Sequence, residues 1–465
     1  MIDFSELKKV YIIGIKGSGI IAVVEILHSM GIEVTGSDTH EKFFTDAILK
    51  KLGIKIFEGF SVKNIPSDID LVIYSTAYRA DNNEEFKFCQ EKNIPMISYP
   101  QVLAELFNRK YGIAVTGTHG KTTTSALLAY TLKEVGVDPS AAIGSKIIDF
   151  GSSGLAGQGE FFVIEADEYQ NKLALYNPKA AILTSCDWDH PDYYKNFDEY
   201  KKAFSNFVAK IPKIGFLIIS GDSVATNEVA RACQGEIIKY GFQADNDVII
   251  SNFQFPISSP TQSNYVQKFN LFYKGKNLGE FTLKLIGKHN ALNAAAVIAV
   301  CHKLNLDMEK VRAALGNFKG TSRRFEIIGE RNGAILIDDY GHHPEEIKAT
   351  LRAARENYRG KNIIAVFHPH SYSRTEALLQ DFAQSFDDAD QVLVLDIYGS
   401  ARENFGNVSS ADLVKLINKY NFNKAEHLPT IKAAIDFLKD KIGPNDVLLA
   451  IGAGNVNEVV ENLKQ

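Results

Sequence analysis

The chain has 465 residues, 45% of them hydrophobic and 23% charged, with 34 glycines against 13 prolines; this composition excludes large-scale disorder, and the length implies roughly three domains of about 150 residues each. A formal net charge of −5 excludes general affinity for nucleic acid or anionic lipid, either of which favours a basic surface. The four scattered cysteines, Cys89, Cys186, Cys233 and Cys301, form neither a zinc motif nor a disulfide framework, and no segment reaches ~18 uninterrupted apolar residues, so a cytoplasmic protein is expected.

The chain begins VYIIGIKGSGIIAVVEILHSMGIEVTGSD, which reads as a strand, a glycine turn, an amphipathic helix closed by Gly31, and a second strand ending at Asp38. That is a βαβ unit. Short strands such as DLVIYST (70–76) continue the rhythm, and YGIAV (111–115) opens a new strand, placing a domain boundary near 109. FFVIEADEY (161–169), AAILTSCDWDHPD (180–192) and GFLIISGD (215–222) then read as strands ending in acidic or turn residues. In a doubly wound sheet such ends converge on one crevice. Alternation from about 244 to 286 predicts antiparallel hairpins. An alanine-rich helix follows at GKHNALNAAAVIAV, and SRRFE (322–326) marks the next boundary, before a third α/β segment. There Pro344, followed by Glu345 and Glu346, predicts a helix start.

The stretch GTHGKTTT places glycines, a lysine and three hydroxyls where a strand hands over to a helix. Unpaired N–H groups and the helix dipole attract an anion there, and glycines let the backbone come close. The full phosphate-loop formula fails, because Val115 stands where it asks for glycine. Its mechanics remain, with Lys121 on terminal phosphates and the Thr122 hydroxyl on a magnesium ion. The first glycines, Gly14, Gly17 and Gly19, are spaced GxxGxG rather than GxGxxG; they suit a diphosphate, or a tight turn under a packed helix. Glu165, Asp167 and Glu168 follow a buried strand, a suitable place for a carboxylate facing a metal. Asp189 and Asp192 are read as turn residues around Pro191, and His190 as either a cap or a metal contact. Asn290 and Asn293 share a helix face, where their amides can read an adenine edge or Asn290 can cap the helix. The loops DDYGHHP (338–344) and HPHSYSRT (368–375) fit no metal or triad spacing.

Taken in order, GIKGSG, GTHGKTTT, EADE, DWDHPD, HNALN, SRRFE, DDYGHHP, HPHSYSRT and GAGN resemble the Mur ligase family of peptidoglycan synthesis over nearly the whole chain. GTHGKTTT, DDYGHHPEE, PHSYSRT and IYGSARE resemble its alanine-adding members most. The resemblance implies an α/β fold in three domains. Residues 1–109 would form a Rossmann-like domain for a UDP-sugar, 110–321 a central phosphate-loop ATPase, and 322–465 a Rossmann-like domain for the amino acid. It implies ATP and Mg2+, with UDP-N-acetylmuramate and L-alanine as substrates, in a monomer or weak homodimer without nucleic-acid or membrane partners.

By the same resemblance Gly117, Thr118, His119, Gly120, Lys121, Thr122 and Thr123 hold ATP phosphates, while Thr122 and Glu165 bind magnesium and His190 a second ion or the carboxylate-bearing substrate. Asn290 and Asn293 meet adenine, and Arg324, Asp339 and His343 complete the nucleotide site. His370 and Arg374 receive the amino acid, Arg374 through its carboxylate, and Gly17, Ser18, Gly19, Asp38 and Ser75 form the UDP-sugar site. Lys121, Glu165, His190 and Arg374 are the expected catalytic set. Three departures stand out: Lys16 in place of a glycine, Ser371 in place of an arginine, and EADEY in place of EADES. The tyrosine and SYPQVLAEL (98–106) resemble members that attach a preformed tripeptide. A reading outside the family, an NAD-dependent oxidoreductase, rests on the first βαβ unit and Asp38 and leaves GTHGKTTT unexplained.

Overall fold

Runs that are apolar at every position need burial on both faces, which parallel sheets covered by helices provide. FLII at 216–219 and ILI at 335–337 are such runs, and both are buried throughout. The structure is a computed structural model that describes residues 3–43, 45–256, 266–399 and 406–464; of Ser18 it describes the backbone alone.

Three sheets are formed. The first has five parallel strands in the spatial order Lys55–Glu58, Glu33–Asp38, Lys9–Ile13, Leu71–Tyr74 and Met96–Ser98. Chain order reverses beside Lys9–Ile13, and the glycine loop leaves the carboxyl end of that strand, where open sheets bind ligands. The second sheet has ten strands in the order Lys276–Leu283, Gln267–Tyr273, Val248–Gln254, Glu236–Gly241, Phe216–Ser220, Ala180–Leu183, Tyr111–Thr116, Phe161–Glu165, Ser140–Ile147 and Ser152–Leu155. The third runs Glu326–Arg331, Ala334–Asp339, Asp446–Ile451, Asn362–Phe367, Gln391–Val394 and Ala425–His427.

The alternating stretch does pair as an antiparallel edge of the second sheet. Its tight turn places Lys274 and Gly275 at φ 46° and 81°, the left-handed pair that a two-residue hairpin requires. Residues 257–265 of that stretch lie outside the described residues. Pro344 starts the helix Pro344–Asn357, with His343 as its cap and Glu346 reaching back to the His343 amide, an arrangement that satisfies both ends of a capping box.

The cores join these units unequally. The apolar cluster around the helix Ser18–Ser29 runs unbroken into one face of the second sheet, taking in Ala114, Phe162, Ile164 and Leu183. Buried Glu25 on that helix accepts the amides of Ser153 (2.9 Å) and Gly154 (2.7 Å) from the sheet's last strand. The third sheet has separate cores on its two faces, to one of which Trp188 is the central contribution. Among the described residues no helix is long and apolar enough to cross a membrane.

Candidate active site

The strand Tyr111–Thr116 delivers GTHG to the helix Lys121–Glu134, whose residues are buried from Thr122 to Leu132. Gly117 has φ 130°, and a Cβ there would lie 2.4 Å from Thr184 Oγ1; Gly120 caps the helix at φ 77°, with Asn293 Oδ1 2.8 Å from where its Cβ would be. Neither position admits a side chain. Thr118 Oγ1 donates to the Asp187 carbonyl at 2.8 Å, and the His119 amide donates to Ser185 at 2.8 Å, fastening the loop to the end of the neighbouring strand.

Lys121 lies folded back over this loop. Its ammonium donates to the Gly117 and Thr118 carbonyls and pairs with Glu168 at 3.0 Å. Burial opposes its charge, but Glu168 and Asp167 outweigh that penalty and hold its pKa above the ordinary value. Thr122 Oγ1 donates to Glu165 Oε1 at 2.7 Å, and Glu165 Oε2 accepts the Gly144 amide at 2.6 Å. A hydroxyl and a carboxylate at the start of a phosphate-binding helix are the hard oxygen donors that suit Mg2+. Asp167, Glu168 and His190 form a second candidate group, with one ligand atom from each all within 4.8 Å of one another. His190 has φ 55°, a left-handed strain that sets its ring 4.5 Å from Tyr169, whose hydroxyl donates to Asp192 at 2.6 Å.

The third sheet closes the crevice from the other side. Arg324 Nη2 reaches Thr122 Oγ1 at 3.3 Å. His119 has Glu346 Oε1 3.2 Å from Nδ1 and Asp187 Oδ2 3.3 Å from Nε2, the latter out of line for a hydrogen bond. Burial alone would lower the pKa of His119, but these carboxylates raise it to about 9. Glu346, buried but faced by His342 and His119, is held well below the carboxylate range. The His343 ring lies 4.6 Å from His119, with Nε2 3.3 Å from the Trp188 carbonyl.

Several residues are engaged differently from expectation. Asp189 is no solvated turn residue: it is 4% exposed and binds Arg374 through Nε (2.8 Å) and Nη2 (3.3 Å), while Arg374 Nη1 lies 3.4 Å from His370. Arg374 overrides the burial of Asp189 and holds its carboxyl well below its usual range. The fork expected for an amino-acid carboxylate is thus already filled by a carboxylate of the central domain. Asp339 spends its oxygens on the Phe325 and Gly341 amides, both at 2.8 Å, and so shapes the strained SRRFE segment, where Arg323 and Phe325 have φ 61° and 50°. Asn290 does not cap its helix, which starts at Lys288 after Gly287; Asn293 donates to Asn290 Oδ1 at 3.1 Å, and their shared face meets the phosphate loop at Gly120.

In the first sheet, Gly17 caps the helix Ser18–Ser29 without side-chain help, and its own N–H donates to the Gly14 carbonyl at 3.2 Å, closing the turn in front of the first-turn amides. Asp38 Oδ2 accepts the Lys16 amide at 2.7 Å. Lys16 is tolerated in the place of a glycine because it turns inward, its buried ammonium donating to the carbonyls of Thr39 (2.9 Å) and Glu41 (3.0 Å). Ser75 packs against Gly14, where a Cβ would meet Ser75 Cβ at 2.9 Å.

Family patterns match the three sheets in turn: "Mur ligase family, catalytic domain" over residues 9–111, "Mur ligase middle domain" over 115–301 and "Mur ligase, glutamate ligase domain" over 323–454. A UDP-N-acetylmuramate--L-alanine ligase of Desulfitobacterium hafniense (strain Y51) is 41% identical, the alignment covering 98% of this chain and 99% of the relative. The chain belongs to the Mur ligase family. The solved UDP-N-acetylmuramate-alanine ligase of Thermotoga maritima superposes with a TM-score of 0.80 at 27% identity over 98% of each chain. A murein peptide ligase of Psychrobacter arcticus superposes at 0.73 and 24% identity over 98% of each, a likeness of fold alone.

As a Mur ligase the chain is an ATP-dependent enzyme that uses Mg2+, and the oxidoreductase reading of the first glycine loop is set aside. The tripeptide reading is not favoured either. The tyrosine of EADEY is accounted for by its ring contact with His190 and its bond to Asp192. Sequence reasoning missed the Asp189–Arg374 pair and the Glu346–His119 contact, each of which joins residues from separate strand ends, and also the local pairing of Asp167 with Lys172. The available signal was an excess of charge in segments following fully apolar strands.

Proposed function

We propose that the chain joins L-alanine to the lactyl carboxylate of UDP-N-acetylmuramate, converting ATP to ADP and phosphate, as a step of peptidoglycan precursor synthesis. The observation that carries this reading is the convergence of three units on one crevice: Arg324 touches Thr122 of the phosphate loop, and the helix Ser18–Ser29 is locked to the central sheet through Glu25. A carboxylate resists attack by an amine, so the crevice first phosphorylates it to an acyl phosphate with a good leaving group. Catalysis is then positioning and charge neutralisation.

In this reading the turn and helix start formed by Gly17, Ser18 and Gly19, backed by Asp38 and Ser75, hold the sugar nucleotide. The loop Gly117 to Thr123 holds ATP, with Asn290 and Asn293 behind it, and Arg324, Asp339 and His343 complete that site from the third unit. Lys121 exchanges Glu168 for phosphate oxygens when the nucleotide enters. Thr122 and Glu165 hold Mg2+, which when bound neutralises phosphate charge, and His190 faces the substrate carboxylate beside them. His370 and Arg374 receive alanine, Asp189 sharing or yielding the guanidinium.

We assign these roles to units spanning 1–109, 110–321 and 322–465, in a cytoplasmic monomer or weak homodimer. A matrix of sugar nucleotides against L-alanine, other amino acids and tripeptide, read by phosphate release and product mass, tests the reaction. Turnover with tripeptide but not alanine would overturn the choice of amine.

A further inference from the structure

Lys121 rests on a carboxylate that the phosphate loop does not itself supply. Glu168 is 1% exposed, and among the described residues its carboxylate has two hydrogen-bond donors. Lys121 Nζ holds Oε2 at 3.0 Å, and the Tyr200 phenol donates to Oε1 at 2.9 Å. His190 Nε2, 3.7 Å from Oε1, is beyond hydrogen-bond reach. When a nucleotide draws Lys121 onto its phosphates, Glu168 loses the cation bonded to it, and an uncompensated buried carboxylate is costly. Tyr200 is the donor that stays.

The surroundings of Tyr200 fix it in that place. It lies on the helix Phe197–Val208, started by Asn196 accepting the Glu199 amide, and is fully buried. Its ring meets those of Tyr194 and Phe204 edge-on, with centroids 5.1 Å away in each case. Tyr194 in turn donates to the Glu168 carbonyl at 2.6 Å, so two phenols pin the main chain and the side chain of one residue. The other neighbour of the Tyr200 oxygen is Thr118 Oγ1 at 3.1 Å. That hydroxyl is already bonded twice, donating to the Asp187 carbonyl and accepting the Asp187 amide, both at 2.8 Å. The single Tyr200 proton therefore goes to the carboxylate, the nearer and stronger acceptor. Burial first, and then the Glu168 charge, hold the phenol well above its ordinary pKa, so the proton is retained. Packing at this position asks for the ring alone: a phenylalanine would fill the same space, and Thr118 would keep both Asp187 bonds.

We infer that Tyr200 is a positioning residue for nucleotide binding, which holds Glu168 in place and shares its charge so that Lys121 can leave the carboxylate for the phosphates. The inference rests on the proposed nucleotide site. With that site empty, Lys121 carries most of the compensation of Glu168, and the phenol adds little. With nucleotide bound, the phenol is the remaining donor, and its bond strengthens as the lysine withdraws. Tyr200 thus lowers the cost of the exchange without touching the nucleotide.

The test is a double-mutant cycle on ADP binding, measured by calorimetry with magnesium present, in the full chain and in the variants Tyr200→Phe, Glu168→Gln and the two combined, with thermal melts to verify folding. Tyr200→Phe lowers ADP affinity roughly 5-fold to 30-fold, about what a charge-assisted hydrogen bond contributes beyond a neutral one. On the Glu168→Gln background, where no charge is stranded, the same substitution changes affinity less than about two-fold. In turnover the loss falls on the Michaelis constant for ATP, while kcat and the Michaelis constant for L-alanine stay near the wild-type values, because the bond serves ground state and transition state alike. Unchanged ADP affinity in folded Tyr200→Phe, an equal loss on the Glu168→Gln background, or a loss confined to kcat overturns the role of Tyr200 while leaving the reaction standing. Failure of the unaltered chain to bind ADP overturns the phosphate-loop reading itself, and this inference with it.

Discussion

The two seams of this molecule are built from different materials. Between the first and second units the apolar core is continuous, and helix packs on strand so closely that a Cβ on Gly154 would lie 2.7 Å from the Ala22 carbonyl oxygen. Between the second and third units the contacts are charged or aromatic: Arg374 on Asp189, Glu346 on His119, Arg324 on Thr122, and His343 beside His119. Apolar burial is non-directional and always favourable, which suits a seam that stays shut. A buried ion pair nearly cancels against desolvation and depends on geometry, so it holds only when every partner is in place. The second seam is therefore the one whose cations anionic ligands would compete for.

The most severe way to break this contrast is Asp189→Ala. It leaves Arg374, 5% exposed, without its carboxylate. Removing one partner of a buried pair costs about 3 to 5 kcal/mol, or roughly 10²-fold to 4 × 10³-fold in an equilibrium. Ligation with L-alanine should fall by that order in kcat/KM, with acyl phosphate trapping by hydroxylamine falling too, because the third unit no longer docks. Calorimetric binding of the sugar nucleotide should stay as in the wild type. A parallel loss of that binding would mean that the seams are not independent.

Arg374→Lys sharpens the same point with a smaller effect. The charge survives, so docking should hold, but an ammonium cannot reproduce the two parallel bonds now made by Nε and Nη2. Loss of one charge-assisted bond, on the order of 1.5 to 3 kcal/mol, should raise the Michaelis constant for alanine roughly 10-fold to 150-fold. Hydroxamate formation without alanine should survive. If it falls equally, Arg374 serves the latch alone.

The two seams were also unequally legible in the sequence. The βαβ rhythm, the glycine loops and the Pro344 helix start follow from periodicity and capping, local properties that a chain displays along its length. The Asp189–Arg374 contact spans 185 positions, and beside Pro191 a turn carboxylate looks the same whether it faces water or a buried guanidinium. Asp339 likewise carries no local sign that its oxygens accept the Phe325 and Gly341 amides. The placement of Lys121 and Thr122 at a strand-to-helix turn was legible because that chemistry is local, whereas Glu165 meets Thr122 only across 43 positions, from the end of another strand.

His119 gives the second seam a pH dependence on the alkaline side of neutrality. Its pKa rises from 6.5 to about 9 in the folded protein because Asp187 and Glu346 outweigh burial. A raised base contributes stability that is complete below its unfolded pKa and is lost as pH rises through the folded value. Docking of the third unit should therefore weaken between about pH 6.5 and 9. The transition is measurable as an increase in proteolysis near SRRFE, and His119→Gln should flatten it. An unchanged profile in that variant would assign the titration elsewhere.

The smallest effect belongs to Glu25, the acid in the apolar seam. Burial pushes its pKa up to about 7, against the Ser153 and Gly154 amides that pull it down. The sign is opposite to that of His119. An acid with a raised folded pKa takes up protons on folding, so its contribution is greatest below about 4.5, declines as pH rises to about 7, and is flat above. Glu25→Gln keeps the shape and one carbonyl acceptor and never ionises. Below about pH 4.5, where the carboxyl it replaces is protonated, it should leave the melting temperature of the full chain almost unchanged, and near pH 7 it should raise it, since only the wild type then ionises on unfolding. Between pH 4.5 and 7 the variant should lose the decline seen in the wild type, while alanine ligation at pH 8 stays within about two-fold, less than 1 kcal/mol. A large loss of stability at pH 8 instead would mean that the charged carboxylate, through its two amide bonds, holds the first seam, and that this seam is as electrostatic as the second.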